Sequence, residues 1–412
     1  MGEAMNESSA TAPPPAATPV RPVRFTGRRG EIAGVAVVNT LLTAITFSIY
    51  RFWAKTRLRR FYWQAIEIDG DPLEYTGSGL ELLLGFLIVV ALFIPVSMLV
   101  GGAQLFLALQ SPALAVLPNL LLGVAAFWLW GYAMYRARRY RLTRTLWRGI
   151  RFGQDGSPAR YAWMRFGWLL LMPLTLGILY PWYQVSLQRY AMRNTRFGFT
   201  RFNYAGTGRA LFRWWWPVLL AGAVFLGALI VALVQAERVG PGSLGEIADH
   251  SPLAAVAAVG AILAFLGLVV LQTRYRVASL RYLFDVSSLA GVTARSHAST
   301  RRVILYALIL AAFGIVTVGA LIGFFAGTIA AVEAGHVSPA AIMLPVLLYL
   351  VAALLLSMVY QILFVFPLVR HVATTVETSD LGALAGVVQG TRDDPRFGEG
   401  LLDALDVDLD VV

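Results

Sequence analysis

The sequence predicts an all-α polytopic membrane bundle with an internal repeat of about 129 residues. It has either six spanning helices plus two short re-entrant or interfacial segments, or eight spans, and it carries small cytoplasmic β-hairpins. Three observations predict this class. Of 412 residues, 58% are hydrophobic and only 14% are charged, against about 25% charged in an ordinary globular chain. The apolar residues gather into eight long uncharged runs, and the basic residues gather in some of the intervening loops and avoid others. This composition excludes a soluble enzyme, a disordered chain and a collagen-like fibre. With no cysteine, the chain has neither disulfides nor thiolate chemistry, and its redox compartment stays open.

The elements follow in chain order. The first twenty residues contain no apolar run and so no signal peptide. They hold a Pro/Ala/Ser tract, Ser8 to Pro19, followed by Arg21, Arg24, Arg28 and Arg29. Such a tract buries too little apolar area to offset its ordering entropy, so residues 1–23 are expected to form a disordered arm, kept in the cytoplasm by its arginines. The apolar runs are Ile32 to Tyr50, Leu82 to Leu109, Ser111 to Tyr135, Phe166 to Tyr183, Trp214 to Ala236, Ser251 to Thr273, Val303 to Val332 and Val337 to Val369. About 20 apolar residues cross a bilayer core. The first run, with Asn39, Thr40, Thr43 and Thr46, and the fourth, with Pro173 and Thr175, are the shortest and the most interrupted.

Loop charge sets the sidedness. The stretches Arg51 to Arg60, Arg136 to Arg151, Arg189 to Arg213 and Arg274 to Arg302 are rich in arginine and belong to the cytoplasm by the positive-inside rule. No charge separates runs two and three, and Glu237, Arg238, Glu246, Asp249 and His250 between five and six, like Glu333 and His336 between seven and eight, mark outside loops. Eight true spans would put the basic loops flanking run four on opposite faces. Six spans, with runs one and four entering and returning on one side, remove that conflict, provided protein covers the irregular backbone. The chain divides accordingly into the arm 1–23, membrane units 24–156 and 157–299, a helix pair 300–370 and an acidic cytoplasmic tail 371–412.

Thr46, Ile49, Trp53, Arg60, Tyr75, Gly77 and Gly79 recur as Thr175, Ile178, Trp182, Arg189, Tyr204, Gly206 and Gly208, each 129 positions on without a gap. In every basic stretch an Arg-aromatic pair closes a helix: Arg60-Phe61, Arg139-Tyr140, Arg189-Tyr190 and Arg281-Tyr282. Period-two alternation around a turn follows each pair, as in Ile66 to Tyr75 around Asp69-Gly70, and reads as a β-hairpin. Isolated hairpins are marginal in water, so the four are expected to associate beneath the bundle. Leu405, Val407, Leu409 and Val411, alternating with Asp406, Asp408 and Asp410, would add an edge strand.

These residues carry a resemblance. The run Thr46-Phe47-Ser48-Ile49-Tyr50-Arg51-Phe52-Trp53, with Arg59-Arg60-Phe61 and Leu73-Glu74-Tyr75-Thr76-Gly77, resembles the first signature of the YjgN-like family of bacterial inner-membrane proteins, whose function is unknown. Arg139-Tyr140-Arg141-Leu142, Trp147 to Gly153 and Gly398-Glu399-Gly400-Leu401 resemble its other signatures. Phe47-Ser48 departs from the family's usual Leu-Gly, which the second copy keeps as Leu176-Gly177. The resemblance implies an inner-membrane location and no catalytic residues.

Site chemistry is sparse. The apolar runs hold essentially no ionisable group, which counts against a proton-coupled pump. Histidines 250, 297, 336 and 371 are scattered, Gly77-Ser78-Gly79 lacks the lysine of a phosphate loop, and Asp406, Asp408 and Asp410 read as a solvated face. No cofactor, metal or catalytic group is implied. The arginine-rich helix ends, Arg51, Lys55, Arg57, Arg59, Arg60, Arg139, Arg189 and Arg281, are the candidates for binding anionic lipid headgroups or an acidic partner. Nucleic acid is not expected, because these charges flank membrane runs. Asn39, Thr43, Thr46 and Thr175 would line a pathway if one exists. Gly319, Gly323 and Gly327 place small residues on one helix face for close packing within the chain, or between copies in a homo-oligomer. Function therefore reads as a non-catalytic membrane component with an arginine-rich cytoplasmic face, the alternative being a transporter or channel for a small solute.

Overall fold

A computed structural model describes residues 21–239, 251–333 and 339–389. Most of the N-terminal arm, the outside charges Glu246, Asp249, His250 and His336, the Gly398 signature and the alternation at 405–411 lie outside these residues.

Four β-hairpins form where alternation meets a turn: β3 (Ile66–Ile68) with β4 (Asp71–Tyr75), β5 (Thr145–Trp147) with β6 (Ile150–Gln154), β7 (Thr195–Phe197) with β8 (Thr200–Tyr204), and β9 (Ser287–Leu289) with β10 (Val292–Ser296). Asp69-Gly70, Arg148-Gly149 and Ala290-Gly291 all have positive φ at both positions, the geometry whose twist matches paired strands. Beyond the hairpins, β1 (Arg21–Pro22), β2 (Arg24–Phe25) and β11 (Val376–Thr378) complete one 11-stranded antiparallel sheet in the order β1-β11-β10-β9-β8-β7-β6-β5-β4-β3-β2. Its two edges, β1 and β2, are separated in the chain by Val23 alone, whose N–H donates to the Val376 carbonyl at 3.0 Å. The extended run Arg21–Phe25 thus pairs with β11 through its first half and with β3 through its second. The sheet closes on itself and leaves no free edge.

Two sequence expectations need correction. The sheet is a ring built from all four hairpins and three further strands, so the fold is not all-α. Residues 21–23, expected as the end of a disordered arm, are part of that ring, as is Val376–Thr378 of the expected acidic tail. The ring's interior is apolar: Trp147, Phe197, Leu289 and Val292 are buried against Leu381 and Leu384, which a 3₁₀ turn at Leu381–Leu384 carries in from the C-terminal side.

Helices leave the ring and return to it. The pair α1 (Arg29–Ile45) and α2 (Arg51–Ala65) lies between β2 and β3. Next come α3 (Gly79–Ala108) and α4 (Leu117–Thr143) between β4 and β5, then α5 (Pro158–Leu174) and α6 (Tyr180–Arg193) between β6 and β7. The pair α7 (Gly208–Val239) and α8 (Pro252–Asp285) lies between β8 and β9. Finally α9 (Thr300–Glu333), α10 (Pro339–Val359), a π-helical turn (Tyr360–Val365) and α11 (Phe366–Thr374) lead from β10 to β11. The helices follow the ring's order, each packing on its chain neighbours, and α1 meets α10 and the π-helical turn.

Among the described residues six helices are long and apolar enough to cross a membrane: Gly79–Ala108, Leu114–Thr143, Gly208–Arg238, Pro252–Asp285, Thr300–Ala330 and Leu347–Thr374. At 1.5 Å per residue the 30 residues of α3 span about 45 Å, whereas the 17 of α1 reach about 26 Å. Little of the six is covered by protein. Leu92, Phe93 and Ile94 are exposed by 64%, 61% and 51%, and three successive residues sweep most of a helix circumference. In water this would be untenable; in hydrocarbon it is the ordinary environment.

The two short pairs turn back sharply. At Thr46 the side chain donates to the Leu42 carbonyl at 2.7 Å and accepts from the Tyr50 N–H at 2.9 Å. Phe47 and Ser48 take positive φ, as Leu176 and Gly177 do at the α5–α6 turn. The substitution of Phe-Ser for Leu-Gly therefore keeps the backbone path. Phe47 and Leu176 project from these tips, 93% and 83% exposed.

Candidate functional site

The junctions where helices meet the ring are built by the Arg-aromatic pairs. Three of the four arginines reach forward to the next departure point: Arg60 donates to the Gly77 carbonyl at 2.9 Å, Arg189 to the Gly206 carbonyl at 2.6 Å, and Arg281 to the Ala298 carbonyl. Each tyrosine reaches back to the previous one. Tyr140 donates to Glu81 at 2.7 Å, the Ser157 N–H donates to Tyr190 at 2.8 Å, and the Thr207 N–H to Tyr282 at 2.6 Å. At the last junction His371 takes the tyrosine's place and accepts from the Ser299 N–H at 2.7 Å. Glycine is required where the chain passes beneath an indole. A Cβ on Gly79 would fall 2.7 Å from the Trp53 ring, and one on Gly208 2.6 Å from that of Trp182.

The predicted lipid-binding residues thus fall into three groups. Arg60, Arg189 and Arg281 hold junction carbonyls. Arg59 is buried and donates to the Tyr75 hydroxyl at 3.2 Å, Arg51 lies over the rings of Phe52 and Phe86, and Lys55 and Arg139 also have partners. Arg57 is exposed, with no partner among the described residues. The junction arginines donate to neutral carbonyls, and no ion pair is seen for them among the described residues. Carboxylates at this level serve other cations: Glu81 pairs with Arg144 at 2.8 Å, and Asp155 with Arg196 at 3.2 Å and Arg201 at 2.9 Å. At the hairpin tips Asp69 joins Arg148 and Arg21, and their hydrogen bonds hold its carboxyl below the usual range.

The other candidates do not converge. Asn39 is buried and donates to the Ala54 carbonyl at 3.2 Å, and Thr175 donates to the Leu171 carbonyl at 3.0 Å. With Thr43, whose carbonyl accepts from Ser48 at 2.8 Å, and Thr46, they close the two tight turns. None of the four lines either of the two cavities described below. Gly319, Gly323 and Gly327 have no atom within 4 Å of where a Cβ would stand. No packing partner for them stands among the described residues.

Sequence reasoning missed a cluster on α7 and α8. Arg213 and Arg274 lie over one indole, that of Trp214, at 5.3 and 4.8 Å from its centroid. They border a cavity of about 350 Å³ with Arg281, Tyr282, Asp285 and Thr300. The available signal was position: Arg213 immediately precedes one apolar run and Arg274 immediately follows the next. On the opposite side of the same helix pair a larger apolar cavity, about 700 Å³, runs from Leu176 past Trp215 and Leu219 to Arg276.

A closed ring rooting six membrane-length apolar helices, with arginine at the roots, defines a polytopic integral membrane protein. Residues 20–343 match the family described as bacterial protein of unknown function (DUF898), and the chain belongs to that family. It is similar to the inner membrane protein YjgN of Salmonella typhimurium, 27% identical over 170 residues, which are 41% of this chain and 39% of that one. It is also similar to YjgN of Escherichia coli, 25% identical over 146 residues, or 35% and 34%. The matched region therefore covers less than two fifths of these relatives' length. No solved structure matches. The family carries no assigned activity, and no catalytic family is indicated.

Proposed function

We propose that the protein is a non-catalytic inner-membrane component that gathers anionic phospholipid headgroups around an arginine-rich cytoplasmic face. One observation carries this reading: every helical excursion starts and ends on the same ring, which brings all the basic junctions to one membrane face. The positive-inside rule assigns that face, and with it both termini, to the cytoplasm. There each arginine near an anionic leaflet contributes about 1 kcal/mol. The α1–α2 and α5–α6 pairs then enter the bilayer from the cytoplasmic side and return, with Phe47 and Leu176 in hydrocarbon. The recurrence of one bond at two junctions, Arg60 on Gly77 and Arg189 on Gly206, supports the arrangement.

The test is lipid analysis of protein extracted with its native bilayer in polymer discs. Phosphatidylglycerol and cardiolipin should be enriched over the bulk membrane. Charge reversal of the exposed Arg57, Arg209 and Arg301 should lower the enrichment, and a wild-type protein without it would overturn the reading.

The two short helix pairs favour a second reading, transport of a small solute, because breaks at membrane depth line pathways in carriers. Solute flux into liposomes containing the purified protein would support it.

A further inference from the structure

We propose that the cavity between α7, α8 and the start of α9 seats the phosphate of one anionic phospholipid, held by Arg213, Arg274 and Arg281. This rests on the lipid-gathering reading and names one built site within it. Two guanidiniums are held against a single indole, and among the described residues neither has a carboxylate partner. Two cations set against one ring repel each other, and the indole's negative face offsets that only in part. A phosphate in the cavity that both border offsets that repulsion.

Arg281 supplies a second, independent sign. Its Nη2 is committed to Ala298, but its Nε is buried and has no acceptor among the described residues. A buried donor on the wall of a cavity wants an acceptor from outside the chain. Phosphate oxygens match the guanidinium fork. Asp285 on the same wall forms no ion pair among the described residues, so the three arginines leave the cavity with positive charge in excess.

Position favours a lipid over a soluble phosphate. Gly208 and Asp285 mark the ring ends of α7 and α8, so Arg213 stands about 8 Å and Arg274 about 17 Å along the helices towards the membrane. Trp214, Trp215 and Trp216 at the same level are suited to the headgroup zone. Beyond them α7 and α8 expose Leu220, Val224, Leu263 and Leu266, a surface along which acyl chains can lie.

The experiment is native mass spectrometry of the full-length protein released from bilayer discs of equal parts phosphatidylglycerol and phosphatidylcholine. Wild type should retain one phosphatidylglycerol, and R213Q/R274Q should lower that retention about tenfold. R193Q/R295Q, which removes the same charge elsewhere, should not. R274Q alone, at an exposed position, gives a partial loss and guards against misfolding of the double variant. Equal retention by R213Q/R274Q and wild type, with phosphatidylglycerol still enriched in the discs, overturns the seat and leaves the broader reading standing. Absence of any enrichment in wild type overturns that reading and the seat together. A thermal shift of wild type in detergent by inorganic phosphate equal to that by phosphatidylglycerol overturns the lipid as occupant.

Discussion

Arg189 donates to the carbonyl oxygen of Gly206 at 2.6 Å, and through that bond the end of α6 fixes the point where α7 leaves the ring. A charge-assisted bond to a backbone carbonyl is worth about 1.5–3 kcal/mol. R189Q should lose most of this and R189K should recover part, read as thermal unfolding in detergent. A wild-type melting temperature in R189Q would mean that the junction is held by its tyrosine alone.

Ser48 sits at φ 69° where its counterpart, Gly177, sits at φ 78°. A side chain in that left-handed region costs about 1–2 kcal/mol. S48G should therefore stabilise the protein by about 1 kcal/mol. G177S should destabilise it similarly, because a Cβ there meets only Leu219, at an ordinary 3.6 Å, and the cost is conformational. Denaturation curves for the two variants should shift in opposite directions.

Acid should loosen the ring at its seam. Asp69 binds Arg148 and Arg21, and its pKa is depressed, so the folded state favours the ionised form. Its contribution is complete above the normal carboxylate range and is lost as pH falls through the lowered value. D69N, which tolerates the same backbone at φ 55°, should melt below wild type at pH 7. The gap should close as pH drops below about 4. A gap that persists unchanged in acid would assign the effect to something other than charge.

Leu381 and Leu384 fill the ring from the C-terminal side, against Trp147, Phe197 and Leu289. L384A should cost about 2–5 kcal/mol through lost burial and an unfilled cavity. Limited proteolysis should then cut the segment after Thr378 faster than in wild type. Unchanged cleavage would show that the turn is not part of the cooperative core.

Single cysteines can be read without background, since the chain has none. Placed at Ser78, Ser157 and Thr207, all at ring junctions, they should react with an impermeant thiol reagent from one side of the membrane. One at Ser111, between α3 and α4, should react from the other. Opposite labelling of Ser157 and Thr207 would require α5–α6 to cross, which a common root on the ring forbids.

The hairpins are legible in the sequence because each alternates around its own turn, and the six long helices because hydrocarbon demands length. The ring is not. Pairing between hairpins joins residues 41 or more positions apart, and 70 or more for β4 with β5, and leaves no local period. Arg21–Phe25 is too short and too polar to announce a strand. The arginines are legible as basic helix ends, but their tasks are not: Arg60 and Arg57 look alike in sequence, and only folding turns one onto a carbonyl. The cavity beside Trp214 needs α7 and α8 antiparallel at one register, which brings together residues 61 apart that no motif links.

The seam of the ring sets an order of assembly. β2 can pair with β3 as soon as α2 has emerged, but β1 must wait for β11, which follows every other strand and every α-helix of the described fold. Until the last helix is inserted and returns, the nascent protein keeps an open edge at β1 and another at β10. Closure therefore reports completed insertion, and a chain that stalls or mis-threads one helix keeps two unpaired strands exposed to membrane proteases and chaperones.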